Sequence, residues 1–270
     1  MMNDMSAGEP DSSWRLDLPA GITRRLLVVE VVVVLAVSLG RSGVYAVVDF
    51  VASVTAPGPL VAQRAVLNRS LAPGQPNLDL VLQLLAIGFG LAPVALVAYL
   101  LMRSGSSPAE FFYRRGEGVR DVVRGATVAL AVGSVGLAFY FAARGAGFNL
   151  TVVPEQLPGV WWRYPVLILS AIQNAVLEET VVLGYLLLRL RQCRMGFLPA
   201  IMTSSAVRGS YHLYQGLGGF VGNFAMGMLF GYLYRKWDRV APLIVCHTLL
   251  DVGAFVGYAL LAPHFTWIPS

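Results

Sequence analysis

Two adjacent carboxylates, Glu178 and Glu179, lie in the middle of an otherwise apolar stretch from Trp161 to Leu188. An ionisable side chain at bilayer depth is expensive to bury, and such residues mark functional sites in membrane proteins. A pair of acids is harder to explain by packing alone than a single polar residue would be. Hydrolysis and the translocation of protons or ions both use groups of this kind.

Two histidines follow in similarly apolar surroundings. His212 comes four residues after Arg208, and His247 comes four residues before Asp251, so each pair shares one face of a helix. With a rise of about 1.5 Å per residue, Glu178, His212, His247 and Asp251 lie roughly 12 to 22 Å from the cytoplasmic ends of three helices. The sequence therefore predicts that three membrane helices bring polar side chains to one layer.

These residue types can perform hydrolysis in two ways. In the first, a carboxylate with a histidine beside it takes a proton from water as a general base, and a histidine with its partner on another helix stabilises the oxyanion. In the second, Glu178, His212 and His247 bind a zinc ion that keeps an open position for water. Both arrangements use the same side chains, and the HExxH signature of soluble zinc proteases is absent. The residues alone do not choose between them.

The composition predicts an all-α, polytopic membrane helix bundle. Hydrophobic residues make up 56% of the 270 residues and charged residues only 13%, about half the usual share of a soluble domain. The length accommodates seven helices of about 20 residues, or eight if the first loop contains another. The predicted spans are 26–48, 78–102, 122–143, 161–188, 197–214, 220–234 and 242–261. Pro93 is expected to kink the second span.

The chain is predicted to consist of three parts. Residues 1–25 form a cytoplasmic tail, residues 26–150 form N-terminal transmembrane helices, and residues 151–262 form the catalytic transmembrane core. Arginines are concentrated in alternate loops, which predicts a cytoplasmic N-terminus.

The source and partners follow from the same composition. Lys236 is the single lysine, and Ala, Val, Gly and Arg are abundant, which indicates a GC-rich bacterium and hence its inner (plasma) membrane. No basic stripe interleaved with aromatic residues is present, so we expect no nucleic-acid partner. The expected partners are the lipid bilayer and a membrane-associated protein or peptide.

The three polar segments resemble the CPBP family of intramembrane metalloproteases, which includes type II CAAX prenyl endopeptidases and Abi-like relatives. The family pattern is Glu-Glu-x-x-x-Arg, then Phe-x-x-x-His, then His-x-x-x-Asn or Asp, each on its own helix. The resemblance covers about residues 160–255. It implies that Glu178 and His212 activate a water, that His247 and Asp251 bind a metal or stabilise the oxyanion, and that Glu179 supports the site.

The chain departs from this pattern at two positions. Leu183 replaces the motif arginine, and Arg208 replaces the motif phenylalanine. Glu179 therefore lacks the cation that normally lies one turn further along its own helix. We predict that Arg208, from the neighbouring helix, supplies this charge.

The predicted function is an intramembrane endopeptidase that hydrolyses membrane-associated proteins or peptides with an activated water. Two alternatives use the same residues differently. A non-catalytic immunity or scaffold protein would bind a partner without cutting it. A proton-coupled carrier would use Glu178 and His212 as a relay.

Overall fold

The computed structural model describes residues 14–107, 109 and 116–265. The first 13 residues of the predicted tail, and part of the loop after residue 103, lie outside the described residues. Ten α-helices and two strands are described, and they are α1 (Arg24–Ala36), α2 (Leu39–Thr55), β1 (Arg64–Arg69), α3 (Pro76–Gly90), α4 (Ala92–Arg103), α5 (Gly118–Gly145), β2 (Thr151–Gln156), α6 (Arg163–Glu178), α7 (Leu186–Gln192), α8 (Phe197–Ser210), α9 (Leu217–Trp237) and α10 (Ala241–Leu261). A π-helix, Glu179–Tyr185, joins α6 to α7.

The all-α prediction is confirmed, but the number of spans is not. Among the described residues, the helices at Pro76–Arg103, Gly118–Gly145, Arg163–Gln192 and Ala241–Leu261 are long and apolar enough to cross a membrane. The pair α1 and α2, bent by 56°, makes a fifth candidate. An apolar helix is the form such segments take, because lipid offers no partners to backbone N–H and C=O groups.

The predicted fifth and sixth spans correspond to shorter or less apolar helices. Helix α8 ends at Ser210 after 14 residues, or about 21 Å, which is less than the thickness of the hydrocarbon core. His212 therefore follows the helix, although the predicted span extends to residue 214. Helix α9 packs along α8, with Gly227 against Ser205 and Gly231 against Ile201. These glycines are packing positions, as small residues at membrane helix interfaces usually are.

Two segments that lie between the predicted spans form a parallel two-stranded sheet. Strand β1 pairs with β2, with Arg64 opposite Thr151 and Arg69 opposite Gln156. A further bridge joins Asn149, just before β2, to Gly216, just after His212. Gly216 has φ of +109°, and a Cβ atom there would come within 2.5 Å of the Phe148 carbonyl oxygen, so a glycine is required. The sheet thus anchors the turn that carries His212.

A polar cluster lies at the C-terminal end of the π-helix, around Tyr185. Glu30 of α1 accepts hydrogen bonds from the Tyr185 hydroxyl at 2.8 Å and from Arg189 Nε at 2.9 Å. The Arg189 side chain is fully buried and also donates to Gln192 and Ser104. Glu30 lies near one end of a predicted span, but its side chain is largely buried. It ties α1 to α7.

Replacing Glu30 by Gln is expected to lower the free energy of unfolding by about 1–3 kcal/mol, since Arg189 loses a charged partner but keeps an acceptor. Thermal unfolding of the detergent-solubilised protein measures this effect. Asp17→Asn is the matched control, because the Asp17–Arg194 pair is exposed and such pairs contribute little. Equal melting temperatures for the Glu30 variant and wild type would contradict a stabilising role for this cluster.

Candidate active site

The predicted acids lie at the junction between two helical geometries. Glu178 is the last residue of α6, and Glu179 is the first residue of the π-helix. In the π-helix the amide of Leu186 bonds to the carbonyl of Val181, and the Val182 carbonyl accepts a hydrogen bond from Ser204 of α8. Such π segments commonly occur at functional sites. Here the segment begins at the two carboxylates.

Arg208 of α8 contacts both acids. Its Nη2 lies 2.6 Å from Glu179 Oε1, and its Nη1 lies 3.6 Å from Glu178 Oε2. The guanidinium is almost completely buried and lies over the Phe230 ring at 5.4 Å. The ion pair anticipated from the two motif departures is therefore present. Leu183, in the place of the motif arginine, packs in the apolar core that also contains Phe230.

Glu179 joins three elements. Its Oε1 accepts from Arg208 and also lies 2.7 Å from His247 Nδ1 of α10. The carboxylate is fully buried. A carboxylate in this position fixes the orientation of the His247 ring, because Nδ1 must donate its proton to it. The other ring nitrogen, Nε2, then faces away from Glu179.

Asp251, which shares a helix face with His247, contacts its ring more weakly than Glu179 does. Asp251 Oδ1 lies 3.7 Å from His247 Nε2, which is an ion-pair distance but too long for a hydrogen bond. Its Oδ2 accepts from Asn174 of α6 at 3.5 Å. Asn174 thus links α6 to α10. Orientation of the His247 ring comes from Glu179.

Glu178 is held by Tyr211, a residue outside the predicted site. The Tyr211 hydroxyl donates to Glu178 Oε2 at 2.8 Å. The Glu178 carboxylate also interacts electrostatically with His212, His247 and Arg208. Tyr211 directly precedes His212, but a tyrosine in an apolar segment gives no signal of such a role. Only the turn after α8 brings its hydroxyl to the acid.

Among the described residues, His212 forms a hydrogen bond through only one of its two ring nitrogens. Its Nδ1 lies 3.0 Å from the carbonyl oxygen of Arg208, one turn earlier. A carbonyl only accepts hydrogen bonds, so Nδ1 carries the proton, and in the neutral ring Nε2 keeps its lone pair. That tautomer suits a general base. The ring of Tyr211 lies against it, with the centroids 4.7 Å apart.

The predicted zinc ligands are Glu178, His212 and His247. Among the described residues, no group of three or more His, Cys, Asp or Glu side chains has an arrangement that would hold a metal ion. Of the predicted zinc ligands, His247 has Nδ1 bonded to Glu179, and Glu178 Oε2 accepts from Tyr211, which leaves His247 Nε2 and Glu178 Oε1 as the atoms that would face a metal. Because the described side chains are not grouped around one position that would hold a metal ion, no chemical step is derived through zinc. Zinc binding stays a prediction of the sequence.

Comparison with protein families identifies the segment that contains this site. Residues 160–253 match the family model described as Rce1-like, type II CAAX prenyl endopeptidase. This segment is an Rce1-like CAAX prenyl endopeptidase domain. The match covers the two acids, both histidines and Asp251, and it confirms the family resemblance noted in the sequence. Searches of the curated proteins and of the solved structures gave no match.

The family assignment establishes the class of reaction. Type II CAAX prenyl endopeptidases are peptide hydrolases, so the Rce1-like domain is a protease. Its apolar helices make it an integral membrane protein, and its substrates are membrane-associated. The residues that perform the hydrolysis are proposed below.

Proposed function

We propose that this Rce1-like domain hydrolyses peptide bonds with a water activated by Glu178 and His212. The observation that carries the proposal is the buried cluster of Glu178, Glu179, Arg208 and the two histidines. The Glu178 carboxylate contacts Arg208 and Tyr211 in this cluster, and it can accept a proton from water. His212 Nε2 provides a second acceptor in the same cluster.

The other residues stabilise the negative charge that develops on the substrate, or position the groups that do so. After the water attacks, the peptide carbonyl oxygen becomes an oxyanion that needs preorganised donors. In its imidazolium form, His247 offers Nε2–H, while Nδ1 stays bonded to Glu179. Asp251 lies beside that imidazolium and stabilises it. Glu179 and Arg208 act as positioning residues, because they hold His247 and Glu178 through buried contacts.

The proton that is removed from water is then transferred to the leaving group. The tetrahedral intermediate collapses when the C–N bond breaks, and the leaving amine takes the proton that the water had lost. Two products remain, one with a new carboxyl group and one with a new amino group. No covalent enzyme intermediate is needed, since the nucleophile is water.

We further propose that the protein lies in the inner membrane of a bacterium with its N-terminus in the cytoplasm. The support is the excess of arginine in the segments assigned to the cytoplasmic side, together with the composition. A prenylated substrate is not part of the proposal. The substrate class is a protein or peptide held at the membrane.

The test is a comparison of membrane-protein N-termini, by mass spectrometry, in cells that express wild type or Glu178→Gln at equal levels. Gln keeps the size of Glu and its bond to Tyr211 but cannot accept the proton of water. We expect new N-termini only with wild type. Identical profiles from two folded, equally abundant proteins would overturn the proposal and favour a scaffold or a carrier.

A further inference from the structure

A cavity of about 280 Å³ lies between α2 and the turn that follows α8. Arg41, Tyr45 and Asp49 of α2 line one side, and Tyr211 and Tyr214 line the other. The cavity is distinct from the buried charge cluster, which lies behind Tyr211. None of the family motifs includes its α2 wall.

The α2 wall carries an unusual row of polar side chains. Arg41, Tyr45 and Asp49 follow one another at intervals of four residues, so they lie on one helix face. All three are exposed, although α1 and α2 together are apolar enough to form a membrane span. Charged residues in such spans usually face water-filled cavities and mark the paths of substrates.

Tyr211 connects this cavity to the proposed catalytic acid. Its side chain forms part of the cavity wall, and its hydroxyl donates to Glu178 at 2.8 Å. The Tyr211 side chain therefore touches both the cavity and the proposed catalytic acid, so a peptide bound in the cavity would contact a residue that holds Glu178.

Arg41 is a cation in this cavity that no described carboxylate neutralises. Asp49 lies eight residues further along the helix, about 12 Å by the helical rise. The nearby acids Glu178 and Glu179 are already paired with Arg208. A guanidinium offers a planar fork of donors that matches a carboxylate.

We propose that this cavity is a substrate subsite in which Arg41 binds a carboxylate of the peptide that is cleaved. The carboxylate comes either from the carboxy terminus of the peptide or from an acidic side chain near the scissile bond. Asp49 repels negative charge at the far end of the same face, so the anionic group of the substrate lies at the Arg41 end. The inference rests on the proposed protease function and adds a source of specificity to it.

The experiment uses the full chain reconstituted in vesicles and peptides that span cleavage sites found in the comparison of N-termini. Each peptide is made in matched forms, with a free or amidated carboxy terminus and with Glu or Gln at each acidic position. For one of these pairs, we expect kcat/KM to be about tenfold to a hundredfold lower for the neutral peptide than for its charged counterpart. This is the size of effect expected of a hydrogen bond between charged groups. The pair that shows this effect identifies the source of the carboxylate.

Variants of Arg41 separate this role from folding. Arg41→Gln should remove the discrimination between the matched forms, Arg41→Lys should keep part of it, and Arg41→Glu should reverse it. Arg25→Gln, at an exposed arginine outside the cavity, should leave it unchanged. The ratio of kcat/KM values within a pair does not respond to loss of folded protein, so an unstable variant does not obscure the result.

Three outcomes would overturn the inference. Equal cleavage of all matched forms by wild type would refute the subsite but leave the protease function intact. An Arg41→Gln effect that is equal for all forms and disappears in vesicles without anionic lipid would assign Arg41 to lipid phosphates. No cleavage by wild type beyond that of Glu178→Gln would refute the protease function itself, and the subsite with it.

Discussion

Arg208→Ala is expected to lower the free energy of unfolding by about 3–5 kcal/mol, because it leaves the buried charge of Glu179 without its cation. Activity should fall together with the amount of folded protein. Thermal unfolding in detergent, followed by size-exclusion chromatography, measures the loss. Arg208→Lys should recover only part of it, since an ammonium group cannot reproduce a fork that contacts both acids.

A double variant tests whether the charge or its position matters. Leu183→Arg with Arg208→Phe restores the family pattern and moves the cation from α8 to the π-helix. We expect it to be more stable than Arg208→Ala, because a cation is again encoded one turn after Glu179. Arg120→Gln, an exposed arginine, is the control. An Arg208→Ala protein as stable and active as wild type would show that Glu179 does not depend on this cation.

The second large effect is expected at His212. His212→Gln should lower kcat by about 10²- to 10⁴-fold, the usual contribution of a general base. The fold should survive, because the Gln amide can still donate a hydrogen bond to the Arg208 carbonyl. Turnover of a reconstituted substrate at saturating concentration, with the melting temperature measured in parallel, tests both parts. The exposed His264 provides the control variant His264→Gln.

The same variant addresses zinc through a readout other than activity. If His212 is a zinc ligand, His212→Gln should reduce the zinc content of the purified protein, measured by mass spectrometry, while His264→Gln should not. Unchanged zinc content with reduced turnover would support the role of His212 as a base. Turnover unchanged in His212→Gln would remove His212 from the mechanism.

The sequence was most informative where polar residues interrupted apolar segments. Glu178, His247 and Asp251 could be selected because burying such groups in a membrane needs a reason. The loss of one arginine at Leu183 and the gain of another at Arg208 predicted a contact between helices that the structure contains. Charge balance inside a membrane is strict enough for this kind of inference.

Other features depended on geometry that no local pattern encodes. The pairing of β1 with β2 joins segments more than 80 residues apart in sequence. The contact of Tyr211 with Glu178 requires α8 to end at Ser210, and a continuous apolar stretch gave no indication of that end. Glu30 near a predicted helix end was compatible with solvation, and only the packing of α1 on α7 revealed its bond to Arg189.

The π-helix also fixes the rotation about the helix axis that relates side chains at the two ends of its span. Each residue added to or removed from an α-helix rotates everything beyond it by about 100°. The wider turns at Glu179–Tyr185 therefore fix the angle at which Arg189 leaves the span relative to the direction in which Glu179 faces. Loss of one residue from this segment would turn either Arg189 away from Glu30 or Glu179 away from Arg208 and His247. A change in the length of this segment would therefore uncouple the catalytic cluster from the helix that anchors it, even if every side chain of the cluster were kept.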